Sequence, residues 1–342
     1  MFYITFHQTE SNIWAYGHKG NLKTTRLLAA PASPLKLDEL RGITLGPHGY
    51  LYVVNGDKSC NQVLVYNGSG ASDNSYALVG IYADPTVSAG ITHPFAVAFD
   101  GSGHGYISSQ DTNVVTGLTA PGANPAKPPY PKATPLAVAS FLKKYGTTFY
   151  AGTLVASSYG PLPPPGPASP PPNVPTPQGL GIDPPQGPAS HSVRDVAVIE
   201  DVLYVADEPG NAVKTYSLTS GATQGQLQGQ ITNSNVKGPV HLLVNNGTLY
   251  ITSTGCILAY NLASGALTPF LSGLKSPTGM AFDSDGNFFF ADRKDKAIYQ
   301  SAYDSKKGTY GKPAIFIPAY DKKHAPDGLR DEPEFLLYVK KS

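Results

Sequence analysis

Residues Pro277–Gln300 read PTGMAFDSDGNFFFADRKDKAIYQ. The apolar run GMAFD ends at the turn DSDG, a second run, FFFAD, follows it, and a polar loop separates this run from a third, AIYQ. Short runs rich in aromatic and aliphatic residues are typical of strands, and the glycine suits the positive φ of a tight hairpin turn. The stretch therefore predicts three consecutive antiparallel strands.

The same phrase recurs through most of the chain. The other copies are LRGITLGPHGYLYVVNGDKSCNQVLVY from Leu40, PFAVAFDGSGHGYISSQDTNVV from Pro94, VRDVAVIEDVLYVADEPGNAVKTY from Val193 and PVHLLVNNGTLYITSTGCILAY from Pro239. A weaker fourth run, such as TPFLSG, closes the unit. A four-stranded antiparallel sheet of this kind buries both faces only by stacking on its neighbours, as the blades of a β-propeller do. The repeat therefore predicts an all-β propeller.

The copies and the two chain ends predict six blades in a single domain, residues 1–342. A truncated copy, PDGLRDEPEFLLYV, starts at Pro326. The N-terminus opens inside a unit, with FYITFHQ as a second strand, IWAYGHKG as a third and TTRLLAA as a fourth. Pairing of the C-terminal strand with this N-terminal remnant would complete one blade and close the ring. A seventh blade, hidden between residues 94 and 193, is the alternative.

Residues 119–191 contain no copy of the phrase, so we interpret them as a proline-rich insertion within the propeller. Thirteen prolines lie between residues 161 and 188. This composition favours an extended, polyproline-like loop. The segment LAVASFLKKYG (136–146) fits either a short helix or an outer strand.

Composition narrows the class of partner. The chain has 342 residues, a net charge of +1 and only 14% charged residues, so no global field attracts nucleic acid or an anionic membrane. No apolar stretch approaches the length of a membrane span.

We expect Cys60 and Cys256 to be unpaired thiols and the protein to be a monomer. The low charge and the sequons at Asn67 and Asn246 favour an extracellular or periplasmic location, with the leader missing from this sequence; a cytoplasmic location is the alternative.

A family resemblance is carried by VADEPGNAVKTYSL (205–218). Its order of Asp, Gly and Asn before a third strand is similar to the NHL-repeat signature. The copies as a whole resemble SMP-30/gluconolactonase-like propellers and, more distantly, strictosidine-synthase-like ones. The resemblance implies the propeller fold but leaves the activity open, because such propellers include hydrolases, lyases and binding modules.

The residue after the first proline of each copy is expected to face the channel on the loop-rich side of the ring. Aligned on the phrase, these residues are Arg41, Phe95, Arg194, Val240, Thr278 and Asp327. The resemblance to SMP-30-like enzymes implies that acidic and amide side chains of this layer bind a divalent metal. Here only Asp327 is acidic, and two guanidinium groups would repel a cation. We therefore predict no metal and no other cofactor.

Arg41 and Arg194 instead indicate a pocket for a carboxylate or another anion, because a guanidinium group offers a planar two-point contact. The alternative is that each arginine pairs with a neighbouring acid and stabilises the channel. The acids available for such pairing are Asp38, Glu39, Asp195 and Asp327.

Histidines and further acids are expected near the same rim. The histidines are His93, His191 and His324, which precede first strands, and His241, which replaces the Gly of the phrase. The residues at the ends of second strands are Asp111, Asp207, Glu208, Asp292 and Arg293. Most such acids brace an adjacent loop by accepting backbone N–H bonds. Asp207 and Glu208 are the candidates for contact with a ligand.

Two functions fit this pattern. The first is an exported binding or scaffold propeller that captures a small molecule, a glycan or a protein segment on the loop face around the channel. The second is a metal-independent hydrolase or lyase. It would hold an anionic substrate with Arg41 and Arg194 and use His93 or Asp327 for proton transfer. We favour the binding function, because the chain contains no nucleophile elbow, phosphate-binding glycine loop or His-Glu-x-x-His motif.

Overall fold

The computed structural model describes residues 1–7, 11–29, 31, 35–57, 59–67, 76–84, 91–110, 114–118, 149–157, 181–182, 193–219, 225 and 227–340. In these residues the regular structure is β-strand, apart from one turn of 3-10 helix at Pro47–Gly49. The strands form six sheets of four or five strands and one separate two-stranded hairpin. The prediction of an all-β, six-bladed propeller is confirmed.

Each sheet is one blade. Strands β1 (Phe2–Phe6), β2 (Trp14–Tyr16) and β3 (Leu22–Thr24) belong to blade VI. Blade I contains β4 (Leu40–Leu45), β5 (Leu51–Asn55), β6 (Gln62–Tyr66) and β7 (Leu78–Ala83). Blade II contains β8 (Pro94–Phe99), β9 (Gly105–Ser109), β10 (Val114–Leu118) and β11 (Phe149–Ser157), with β12 (Gly181–Ile182) parallel to β11.

The remaining blades follow in chain order. Blade III contains β13 (Val193–Ile199), β14 (Val202–Asp207), β15 (Ala212–Ser217) and β16 (Leu227–Ile231). Blade IV contains β17 (Leu242–Asn245), β18 (Thr248–Ser253), β19 (Cys256–Asn261) and β20 (Leu267–Ser272). Blade V contains β21 (Pro277–Phe282), β22 (Phe288–Asp292), β23 (Ala297–Ser301) and, after the hairpin of β24 (Tyr303–Asp304) and β25 (Thr309–Tyr310), β26 (Ala314–Ile317). Blade VI is completed by β27 (Pro333–Tyr338).

Blade VI joins the two ends of the chain, as the sequence predicts. Strand β27 is the first strand of this sheet, and β1 lies between β27 and β2. In the antiparallel pair of β1 and β27, Phe2 lies opposite Tyr338. The Met1 ammonium group donates a hydrogen bond to the Val339 carbonyl at 2.9 Å. The ring is therefore closed by main-chain pairing of the first strand with the last.

The inner strand of blade VI begins at Pro333, and not near Pro326 as the truncated copy suggests. In the loop ahead of β27, the Gly328 N–H donates to the Ala325 carbonyl at 3.0 Å. The Leu329 N–H donates to the Pro318 carbonyl at 2.9 Å, in a parallel bridge to the chain that follows β26. Both bonds use backbone groups that a strand here would need for its ladder with β1. The letters PDGL thus form a turn, and PEFLLY forms the strand.

The stretch 119–191 contributes to blade II. Strand β11 lies within it and pairs with β10, and β12 pairs with β11. The segment 136–146, for which the sequence leaves a helix and a strand open, lies outside the described residues, as does the proline-rich part of the stretch apart from β12.

Aromatic side chains fill the interfaces between neighbouring blades and so cover the faces of the sheets. Between blades V and VI, the ring centroids of Phe2 and Phe289 are 4.4 Å apart. Between blades I and II, those of Tyr52 and Phe99 are 4.5 Å apart. Burial of one such ring contributes about 1.5–3 kcal/mol. The second strands of blades I and V, LYVVN and FFFAD, read as nearly continuous apolar runs and are buried along their whole length.

The two cysteines, Cys60 and Cys256, lie in blades I and IV. Both are free thiols, as expected. Burial raises the pKa of each thiol, which lowers its reactivity at neutral pH. In the described part of the chain, no helix has the length and apolarity needed to cross a lipid bilayer.

Neighbouring inner strands approach each other closely around the channel. A Cβ atom on Gly42 would lie 2.8 Å from Cα of Ala96 and 2.9 Å from the carbonyl oxygen of Phe95 on the next inner strand. A Cβ atom on Gly279 would lie 2.7 Å from the carbonyl carbon of Phe335. The glycine of the repeated phrase is therefore required by the distance between main chains, and not by a positive φ.

We expect Gly42→Ala to destabilise the fold by about 1–3 kcal/mol, because the added methyl group forces two main chains apart. The matched control is Gly101→Ala, since a Cβ atom there meets nothing within 4 Å. The control should change the free energy of unfolding by less than about 0.5 kcal/mol. Urea denaturation measures both values, and equal effects would contradict the close approach.

Candidate functional site

Five of the six inner strands carry the same irregularity at their first residues. The register of pairing with the second strand shifts just after Leu40, Pro94, Val193, Pro277 and Pro333. Such a bulge re-aims side chains at the end of a sheet. The residues that follow it, together with Val240 ahead of β17, form what we call the mouth ring: Arg41, Phe95, Arg194, Val240, Thr278 and Glu334.

Glu334 holds the position that the sequence alignment assigns to Asp327. Because β27 starts at Pro333, the residue equivalent to Thr278 is Glu334. Asp327 lies in the preceding loop with an exposed side chain, and its main-chain carbonyl accepts the Tyr16 hydroxyl at 2.9 Å. Tyr16 belongs to the third strand of blade VI, so Asp327 is displaced outward from the inner strands.

Arg41 is paired with two acids. Its guanidinium group contacts the Glu39 carboxylate and lies 3.3 Å from Oε2 of Glu334. Glu39 also faces Nε2 of His93 at 3.4 Å. Glu39 and His93 each immediately precede an inner strand, and both have left-handed backbone, with φ values of 49° and 50°. Arg41 therefore pairs with acids of the mouth, which is the alternative that the sequence left open, and its guanidinium group is not exposed to a ligand.

Glu334 joins three blades at the mouth. Arg293 lies with Nη1 3.6 Å from Oε2 of Glu334, and it donates to Glu332 from Nη2 at 2.9 Å. Burial alone would raise the pKa of Glu334, but His241 and the charges of Arg41 and Arg293 more than offset this and hold its pKa well below the usual range. Glu334 is therefore a buried, charged carboxylate between two guanidinium groups.

Arg194 forms a second ionic contact. Its Nε donates to Oε2 of Glu208 at 2.6 Å, and Nη1 contacts the side-chain oxygen of Gln110. The guanidinium carbons of Arg194 and Arg41 lie 5.1 and 5.8 Å from the centroid of the Phe95 ring. These are cation–π distances. Phe95 is completely buried, so it supports the two arginines and offers no surface to a ligand.

Asp195 and His241 lie one residue farther along their strands than the mouth ring. Nδ1 of His241 is 3.8 Å from Oδ2 of Asp195, and Nε2 is 3.6 Å from Oε1 of Glu334. Asp195 accepts the N–H groups of Val196 and Leu242 at 2.8 and 3.0 Å. Burial raises the pKa of Asp195 to about 6, although His241 and these two N–H groups oppose the rise.

The acids at the ends of the second strands mostly hold structure. Oδ2 of Asp292 accepts two N–H groups of the loop before β21, at 3.1 and 2.9 Å. Asp207 is buried and lies 3.0 Å from Nζ of Lys214, which is buried as well. Asp207 is thus placed inside blade III. Its neighbour Glu208 is more exposed and contacts Arg194 at the mouth.

Of the other predicted residues, Thr278 and Val240 belong to the mouth ring, and the rest lie elsewhere. Thr278 donates its hydroxyl to the Pro333 carbonyl at 2.9 Å, and the Val240 carbonyl accepts the Asp195 N–H at 3.0 Å. Both contacts join adjacent inner strands. His324 faces an acid of its own exposed loop at 3.0 Å. Outside the described residues lie His191 and Asp111.

Glu334, Glu332 and Gln110 are residues of the mouth that the sequence analysis missed. Pro333 repeats the proline that opens the phrase elsewhere, so a signal for Glu334 was present beside the stronger-looking Pro326. Gln110 follows β9 directly, where the equivalent residues of blades I, III and V are Gly56, Glu208 and Arg293, so no local pattern singles it out.

The divalent metal implied by the resemblance to SMP-30-like enzymes does not fit this mouth. The ring supplies one carboxylate, Glu334, and that carboxylate lies between Arg41 and Arg293. Among the residues described by the structure, no three His, Cys, Asp or Glu side chains are grouped so that they could hold a metal ion.

We expect Asp207→Ala to cost about 3–5 kcal/mol of stability, because it leaves the buried Lys214 ammonium group without its carboxylate. Glu208→Ala, one residue away, removes a partly exposed ion pair and should cost less than about 1 kcal/mol. Thermal or urea denaturation compares the two variants. Similar small costs would show that Asp207 is not a structural partner of Lys214.

The raised pKa of Asp195 predicts a pH-dependent term in stability. An aspartate that ionises near 4 when unfolded and at about 6 when folded stabilises the fold fully below about pH 4, and this contribution is lost as pH rises through 6. Over that window the loss is about 3 kcal/mol. The Asp195 carboxyl faces His241 and, beyond it, Glu334, and the substitution Asp195→Asn leaves both of these residues in place.

Asp195→Asn should therefore lack this loss. Urea midpoints at pH 4.5 and pH 7.5 should show the variant gaining on the parent protein as pH rises, whatever its baseline stability. Asp201→Asn, at an exposed position, is the control and should follow the parent at both pH values. If the urea midpoint of Asp195→Asn falls between pH 4.5 and pH 7.5 as much as that of the parent does, the prediction is wrong.

Comparison with known proteins agrees with this architecture. Residues 244–334, which are 91 of the 342, match the model of the SMP-30/gluconolactonase/LRE-like region. No curated protein sequence matches the chain. Many solved structures do, and the three described next share the fold at 10–12% sequence identity.

Three of these structures illustrate the range. A chain in the nidogen/laminin complex superposes with a TM-score of 0.56 at 12% identity, covering 98% of this chain and 97% of that one. Streptogramin B lyase gives 0.52 at 10% identity, covering 93% and 85%. The extracellular domain of a protein described as a hybrid two-component system, from B. thetaiotaomicron, gives 0.51 at 12% identity and covers 95% of this chain. The chain spans only 33% of that last protein's length. On fold the chain is a six-bladed β-propeller, and within it residues 244–334 are similar in sequence to the SMP-30/gluconolactonase/LRE-like region.

Proposed function

We propose that the chain is an exported binding propeller that captures a segment of a partner protein at the mouth of its channel. The observation that carries the proposal is the pairing of the charged side chains of the mouth with one another. Within the described residues, Arg41, Arg194 and Arg293 each contact a carboxylate. A small anion would have to displace an acid that is already held, so an anionic substrate pocket is poorly supported.

The geometry also gives little support to either His93 or Asp327 as the proton-transfer residue of the enzyme hypothesis. A proton-transfer residue must reach the reacting bond beside the held substrate. His93 faces Glu39, and Asp327 lies in an exposed loop against the third strand of blade VI, away from Arg41 and Arg194.

The rim of the mouth presents both signs of charge to solvent. Glu208, beside Arg194, has 35% of its side chain exposed, and Glu332, beside Arg293, has 41% exposed. Alternating charges of this kind complement a polar protein segment, and rim charges set specificity and association rate more than affinity. The structural neighbour from the nidogen/laminin complex is itself part of a protein assembly, which is consistent with the proposal.

Export is part of the same proposal. Asn246 of the sequon Asn246-Gly-Thr is exposed in the turn between β17 and β18, where a glycan could be attached without disturbing the blade. The two-component-system neighbour of the same fold is an extracellular domain.

A peptide array followed by fluorescence anisotropy tests the binding function. Peptides of mixed charge should bind the purified protein, and Glu332→Ala and Glu208→Ala should each weaken the best binder about tenfold, or about 1.4 kcal/mol. Asp304→Ala is the matched control. Asp304 is also 41% exposed and paired with a lysine, but it lies in the outer hairpin of blade V, so binding should be unchanged.

Other outcomes would overturn the proposal. Peptide binding that is indifferent to the mouth variants would place the partner surface elsewhere. Binding to a glycan array alone would favour a carbohydrate ligand. Hydrolysis or elimination of an ester, lactone or uronate substrate, abolished by His93→Ala, would establish the enzyme instead.

A further inference from the structure

The ion pairs around the channel present their carboxylates to solvent more than their guanidinium groups. Glu208 is 35% exposed and its partner Arg194 22%. Glu332 is 41% exposed and its partner Arg293 27%. Glu39 is likewise more exposed than the arginine with which it pairs. The centre of the mouth therefore offers negative charge to a bound segment.

Basic side chains lie outward of these pairs, on three adjacent blades. The inner strands begin at the mouth, so the antiparallel order of the blades places the loops after second and fourth strands on the same face. In the loops that lead into or belong to blades IV, V and VI, exposed or half-buried bases form what we call the lysine arc: Lys237, Lys294, Lys296, Lys322, Lys323 and Arg330.

The charge of the lysine arc is not neutralised by the acids of the same loops. Asp295 is taken up by Lys275, and the Asp321 side chain accepts N–H groups of its own turn. The bases of the arc form no ion pair with any acid in the part of the chain that the structure describes. Asp327 adds one exposed acid. Positive charge is therefore in excess on this side of the mouth face, although the whole chain is nearly neutral.

Tyr320 gives the lysine arc an aromatic side chain. It is 40% exposed, and the guanidinium carbon of Arg330 lies 4.6 Å from the centroid of its ring. This is a cation–π distance. Tyrosine and arginine are among the residue types that carry most of the binding energy in protein interfaces. The pair therefore favours a protein segment over a free ion as the ligand of the arc.

We propose that the segment captured by the propeller has its charges in two blocks. A basic side chain lies at the centre of the mouth beside Glu208 and Glu332, and an acidic stretch lies outward along the lysine arc. The inference rests on the proposed function and adds the order of charges in the partner. Complementary charges steer the encounter and fix the orientation of the partner. The order of charges, and not their sum, selects the segment.

Fluorescence anisotropy at low salt tests the proposal with two labelled peptides of identical composition. One carries its lysines and glutamates in separate blocks, and the other carries them in alternation. The block peptide should bind about tenfold more tightly or better. Lys294→Glu combined with Lys322→Glu should weaken the block peptide by about tenfold and the alternating peptide by less than about threefold. Both lysines are exposed, so the melting temperature of this variant should match that of the parent.

The matched control is Lys306→Glu combined with Lys312→Glu. It reverses two exposed lysines of blade V that lie between the third and fourth strands, on the face opposite the mouth. Both affinities should be unchanged in this variant.

Three results would overturn the inference. Equal binding of the two peptides, or a block-peptide affinity that survives reversal of Lys294 and Lys322, would contradict it; the proposed function would stand if Glu332→Ala still weakened peptide binding. Absence of binding by any peptide would refute the proposed function and this inference together. Binding of a single-stranded oligonucleotide in place of peptides, lost on reversal of Lys294 and Lys322, would assign the lysine arc to nucleic acid.

Discussion

Gly42 and Gly279 allow the main chains of adjacent inner strands to pack against each other, and the geometry of the channel depends on this contact. A methyl group at either position would enter the backbone of the next blade. Where strands approach this closely, side chains of neighbouring blades come within ionic contact at the mouth. Dense packing of this kind transmits small displacements, because proteins have few voids to absorb them.

The charged mouth follows from that closeness. Glu334 of blade VI reaches Arg41 of blade I and Arg293 of blade V, and each ion is partly removed from water. Such ions are costly to bury and are held only by good mutual pairing. The mouth is therefore a set of mutually dependent charges that link the blades. This accounts for two arginines in a layer where SMP-30-like enzymes place metal ligands.

Much of the fold could be predicted from the sequence, because each blade repeats a local phrase whose turns and apolar runs specify their own strands. The site was less predictable. PDGL imitates the start of a blade better than PEFLL does, and only the turn bonds around Gly328 distinguish them. The partners of the arginines are mostly distant in sequence: Glu334 pairs with Arg41, and Gln110 with Arg194. Periodicity cannot reveal such pairs.

The shared blade has a consequence for how the molecule is made. Phe335 donates its N–H to the Thr5 hydroxyl across 330 positions of chain, so β1 has no inner neighbour until β27 has been made. Five blades can form before that point, but the sixth cannot. Until then β1 exposes an unpaired edge, the kind of surface that invites aggregation. Closure of the ring therefore brings together widely separated parts of the chain, and such steps are slow.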